Sequence, residues 1–65
     1  MLLNFTDATT GQTVAVNPVH VICVFTNTDE KTGTKVTVIN TLSGNVAVID
    51  DYLETVGRIN GSLSN

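Results

Sequence analysis

Asp50 and Asp51 are adjacent carboxylates, the residue type that shares a proton in general acid–base catalysis or holds a divalent cation. Neighbouring residues at a helix start point in different directions, however, and no other cluster in the chain supplies a third ligand, so the pair reads as helix-capping. His20 could serve as a general base only beside a nucleophile or acid, and nothing in the chain identifies one; a turn or surface histidine is expected. Cys23 lies in the run Ile22-Cys23-Val24-Phe25, where a free thiol behaves as a small hydrophobe. A reactive thiolate needs an electropositive setting, and no basic residue is near Cys23 in sequence. Gly11, Gly33, Gly44, Gly57 and Gly61 are isolated, so no phosphate-cradling loop is formed. Asp29-Glu30-Lys31 reads as a solvated loop tip. The expectation is a non-enzymatic protein with no catalytic, cofactor-binding or metal-ligating residues.

Composition bounds the rest. At 65 residues the chain, 1–65, is a single small domain, of a size that buries only roughly 60% of its unfolded surface. Such domains are usually reinforced by disulfides, a metal or oligomerisation. With Cys23 and His20 the sole residues of their kinds, one chain builds neither a disulfide nor a Cys/His cluster. Only Lys31, Lys35 and Arg58 are basic and the net charge is −3, which argues against nucleic acid and anionic membranes as partners. The longest apolar run, Val19 to Phe25, is far short of the about 20 residues a membrane helix needs. Met1-Leu2-Leu3-Asn4-Phe5 lacks the basic region of a secretory signal. A cytoplasmic protein, or a component assembled from the cytoplasm into a virion, is the expected setting.

The elements are mostly strands. Leu3 and Phe5 alternate with Asn4 and Thr6; Val14 and Val16 alternate with Thr13 and Ala15. A turn over Asp7–Gln12 joins them, and Asn17-Pro18 marks a corner before a third strand through Ile22–Phe25. Thr26–Gly33 reads as an exposed loop, Thr34–Leu42 as a fourth strand and Val46–Ile49 as a fifth, after a reversal at Ser43-Gly44-Asn45. Pairing in sequence order predicts a meander. At Asp51 the period changes: Asp51 with Glu54 three residues on has the spacing of a capping box. Tyr52, Val56, Ile59 and Leu63 form an apolar stripe, and Gly61 is a plausible stop. The fold class is therefore mainly β (α+β): a small antiparallel sheet or partly open barrel of about five strands over 2–49, one short C-terminal helix at about 51–60, and a tail over 61–65.

One short helix covers one face of a five-stranded sheet, so the other face should be polar. Ile22, Cys23, Val24 and Phe25 are instead apolar on both faces, and so are Val46, Ala47, Val48 and Ile49. Either the sheet curls around one core or the second face meets another copy of the chain. Period-two alternation assigns Val14, Val36 and Val38 to the helix side, and Ile22, Val24, Ile39 and Ala47 to self-association.

The order of features, Phe5-Thr6, Gly11, Val16-Asn17-Pro18, Val21, Thr37-Val38, Gly44 and Val48, resembles the small FlbD (SwrD) proteins associated with flagellar operons, over about residues 3 to 59. The longer loop before Gly33, the Asp-Asp-Tyr helix start and the low charge depart from that pattern. The resemblance implies no catalytic residues; it implies a flagellar or motility accessory role. Small open reading frames of tailed phages are similar as well, and the low-charge composition rich in Thr, Asn and Val leans towards them. The expected function is a self-assembling structural or interaction protein, a virion or accessory component, whose partners are itself and another virion or host protein. The alternative is a small regulatory binder that captures a host protein.

Overall fold

A computed structural model describes residues 1–64. Five antiparallel strands in two small sheets, not closed into a barrel, precede one helix: β1 (Leu3–Thr6), β2 (Thr13–Val16), β3 (Val21–Thr28), β4 (Lys35–Thr41), β5 (Gly44–Val48) and α1 (Tyr52–Leu63). β1 pairs with β2, and β3, β4 and β5 pair in order. The expected meander is interrupted between β2 and β3. There Pro18 opens a single 3₁₀ turn, Pro18–His20, whose preceding Asn17 accepts a hydrogen bond from the Val19 N–H at 3.0 Å. A proline at the first helical position loses no bond, and its fixed φ starts the turn. The chain thereby leaves the first sheet before β3 begins. The sheets are stitched elsewhere: Ile49 N donates to Thr6 O at 2.9 Å, and Ala8 N donates to Ala47 O at 2.8 Å around the bridge of Asp7 with Val48.

The turn between β1 and β2 is built by Asp7. Its carboxylate accepts from Thr9 N (2.7 Å) and Thr10 N (3.0 Å), and Gly11 at φ +73° closes the loop. The segment Thr26–Gly33 is shorter as a loop than the sequence implies. β3 runs on to Thr28, and the reversal is confined to Asp29–Thr34, where Asp29 N bonds Thr34 O and Gly33 takes φ +72°. Polarity had marked this segment as loop. It is in fact the solvated end of a hairpin, which β-propensity at Thr26 and Thr28 supports.

The core lies between the two sheets and α1: Phe5 from β1, Val16 from β2, Ile39 from β4, Val48 from β5 and Ile59 from the helix, with Leu3, Val14, Val21, Val24 and Val46 packed around them. Asp51 caps α1 as expected, its Oδ2 accepting from Glu54 N at 3.2 Å. The helix ends later than expected, since Gly61 is inside it and the last turn closes at Ser64, whose N–H and hydroxyl both donate to Asn60 O. Its inward face is also rotated from the expected stripe. Thr55 and Ile59 are buried, whereas Tyr52 and Leu63 are exposed. Gly57 faces open space and makes no close approach to the sheet. Position 65 lies outside the described residues.

Candidate functional site

β3 contains one β-bulge, between Val21 and Cys23, and from Cys23 to Thr28 its pairing with β4 is regular. The bulge sets which residues face outward. Val21 and Val24 both turn to the core, and Phe25 comes to lie on the opposite face. Across the sheet, Phe25 pairs with Val38 and Val38 with Ala47, giving one apolar row on the outer face. A second row, Cys23, Asn40 and Asn45, is polar or small, and Asn40 Nδ2 donates to Asn45 Oδ1. At the far end Val36 and Ile49 reach a shallow groove of about 350 Å³ that is mixed in character, lined also by Thr26, Thr37 and Tyr52 and by the charged Lys35, Asp50 and Asp51. Val38 is 7% exposed, whereas Phe25 is 43% and Ile49 64% exposed. The rows Phe25, Val38, Ala47 and Cys23, Asn40, Asn45 carry no charge, and the charged groups lie at the groove end.

The expected self-association set is thus split between the faces. Ile22 is exposed at the bulge, and Ala47 lies half-buried in the outer row. Ile39 is wholly buried and pairs with Val24 on the core side, so both face the helix-covered interior and not a neighbouring subunit. Val36 and Val38 are the outward pair, and of the residues assigned to the helix side only Val14 packs against the core. The inversion has a local cause. Thr37, which shares the inner face with Ile39, is 3% exposed, and its hydroxyl donates to Asp50 O at 2.7 Å. A threonine satisfied in this way is tolerated inside, so the more polar-looking side of β4 is the buried one.

Asp50 and Asp51 divide their work. Asp51 caps the helix, while Asp50 clamps β1: its Oδ1 accepts from Thr6 N at 2.9 Å, and its Oδ2 lies 3.8 Å from Arg58 Nη1. Arg58 in turn donates to Asn4 O at 2.7 Å and stacks its guanidinium 4.4 Å from the centroid of Phe5. The clamp therefore fastens the first strand to the helix and to the end of β5. Asp50→Ala leaves a part-buried N–H unpaired and is expected to destabilise the fold by about 1–2 kcal/mol after allowance for solvent screening. Asp51→Ala, which removes a cap only, costs about 0.5–2 kcal/mol. Both variants should keep the oligomeric mass of the parent, read by urea titration alongside light scattering. An unchanged stability with altered mass would place a binding site at the acidic pair.

His20 is exposed at the end of the 3₁₀ turn, and Cys23 is a free, exposed thiol. Among the described residues no group of three or more His, Cys, Asp or Glu side chains stands together as a metal site. No helix among them is long and apolar enough to cross a membrane. The class that the fold defines is a small α+β domain: five antiparallel strands in two small sheets followed by one C-terminal helix. Comparison with protein-family models, curated proteins and solved structures finds no match to the chain.

Proposed function

We propose that this protein is a non-enzymatic, self-associating interaction module whose contact surface is centred on Phe25, on the outer face of the β3–β4–β5 sheet. The observation that supports this reading is the uncharged apolar row Phe25, Val38 and Ala47, flanked by Ile49 and Val36, on the sheet face that α1 leaves open. Charged residues make up only 14% of the chain, yet the outer rows contain none of them. Phe25 and Ile49 expose apolar surface on this face, with Val36 and Ala47 half-buried and Val38 buried between them, and exposed apolar surface on a small domain marks an interaction site. A second copy supplies the burial that a chain of this size lacks.

Self-association predicts a mass in solution that is a multiple of 6.9 kDa at micromolar concentration. Phe25→Lys places a charge in the row at a residue already 43% exposed in one chain. The isolated domain tolerates it, but an interface must bury it unpaired, at a cost of several kcal/mol. Light scattering should show the variant as a 6.9 kDa species with an unchanged circular dichroism spectrum. A parent protein that remains at 6.9 kDa up to about millimolar concentration, below which a specific contact gains over about 4 kcal/mol, overturns the proposal.

A further inference from the structure

β3 is an edge strand whose free side can be identified from the ladder. Ala47 and Ile49 direct main-chain groups towards β1. By alternation Gly44, Val46 and Val48 bond β4, at Thr41, Ile39 and Thr37. The intervening β4 residues Val36, Val38 and Asn40 therefore bond Asn27, Phe25 and Cys23 of β3, a phase that agrees with the bond from Leu42 N to His20 O. Val24, Thr26 and Thr28 are left with N–H and C=O groups directed away from the sheet, and among the described residues no strand pairs with them.

Natural sheet edges are blunted by charge, proline, bulges or shortness. β3 is eight residues long, the longest strand here, and holds no charged residue or proline; its bulge leaves Cys23–Thr28 regular. β5 stops covering β4 at Thr37, so the outer part of the β3–β4 hairpin is two-stranded and exposed from Phe25 to Lys35. A two-stranded ribbon is marginal in water. The edge lacks both protection and support.

We propose that two copies of the chain pair antiparallel through this edge, about a two-fold axis at Phe25. The inference rests on the self-association proposed above and places its contact along the β3 edge, so that the outer faces of the two copies lie side by side with Phe25 at the seam and Val38 and Ala47 beyond it. An antiparallel strand edge is self-complementary, which is what a two-fold contact requires. With the axis at Phe25, Val24 of each copy exchanges main-chain bonds with Thr26 of the other, and the regular stretch Cys23–Asn27 is paired throughout. Phe25 meets Phe25 of the second copy as a directly opposed aromatic pair. The row Ala47, Val38, Phe25 then runs without a break across the axis into the same row of the second copy. A shift of the axis to Thr26 would set Phe25 against Asn27 and interrupt that row.

The register also places Cys23 opposite Asn27 of the second copy, and this gives the test. Within one copy, or between the two Cys23 residues, the separation is four residues, about 13 Å along the strand, beyond the roughly 7 Å that a disulfide spans. Full-length Asn27→Cys at micromolar concentration under mild oxidation should give a covalent dimer linked between positions 23 and 27, whereas the parent gives none. Thr26→Pro removes an outward N–H, a change an edge strand tolerates; it should keep its circular dichroism spectrum and lose association by at least tenfold. If Thr26→Pro does not fold, the cross-link decides. A dimer linked only between like positions, or no covalent dimer, overturns the edge pairing. Multimers by light scattering without the 23–27 link leave self-association standing and refute this geometry; a 6.9 kDa parent refutes both.

Discussion

Ile39→Lys is expected to leave the chain unfolded under conditions where Phe25→Lys is folded. Ile39 has no exposed surface and sits among Phe5, Val16, Val48 and Ile59. A lysine there carries its ammonium into the one core, and an unpaired buried ion costs several kcal/mol even after relaxation. A domain of this length has a total stability of about 3–10 kcal/mol, so the penalty is comparable with everything that holds the fold. The measurement is far-UV circular dichroism with a thermal scan: no cooperative transition for Ile39→Lys, and a transition close to that of the parent for Phe25→Lys. A folded Ile39→Lys chain that merely loses its oligomeric mass would return this residue to the intersubunit surface and reverse the assignment of faces.

Phe5→Ala is expected to cost about 3–5 kcal/mol, the range for removing a buried aromatic ring. Phe5 is 2% exposed and is the largest side chain of the core. It also seats the Arg58 guanidinium, whose hydrogen bond to Asn4 O and approach to Asp50 hold β1 in place. β1 pairs with β2 over four residues, and besides the core packing of Phe5 its link to the second sheet is the main-chain stretch Thr6–Ala8. Loss of the ring therefore frees the whole first hairpin. Leu2→Ala is the control: Leu2 is exposed and should shift stability by less than about 0.5 kcal/mol. Urea denaturation of the two variants provides the comparison. A cost below about 1 kcal/mol for Phe5→Ala would show that the two sheets cohere without the β1–helix contact.

Much of the architecture is local and so could be read along the chain. Alternation in Leu3–Thr6 and Thr13–Val16, the glycine at position 11, the Asn17-Pro18 corner and the cap at Asp51 each depend on residues within a few positions of one another. The helix boundary was less legible. Gly61 stays helical because the last turn is closed by Ser64 on Asn60, and Ser62 approaches Met1 from across the molecule. Asp50 was legible as a carboxylate at a helix start, but its partners Thr6 and Arg58 lie 44 and 8 positions away. Only the folded chain brings them together.

The candidate surface divides along the same line. The excess of apolar residues in Ile22–Phe25 and Val46–Ile49, and therefore the need for burial on two faces, is a property of composition and alternation, determined by the sequence alone. Which residues fill which face was decided by tertiary structure, through two features that alternation does not carry. The bulge between Val21 and Cys23 inserts one residue into β3 and moves Val24 to the core and Phe25 to the outside. The Asp50 carbonyl accepts the Thr37 hydroxyl and makes the Thr37 and Ile39 side of β4 the inner one. A period of two fixes only that neighbours face opposite ways. The absolute choice between the two sides belongs to the long-range bonds that bury one of them.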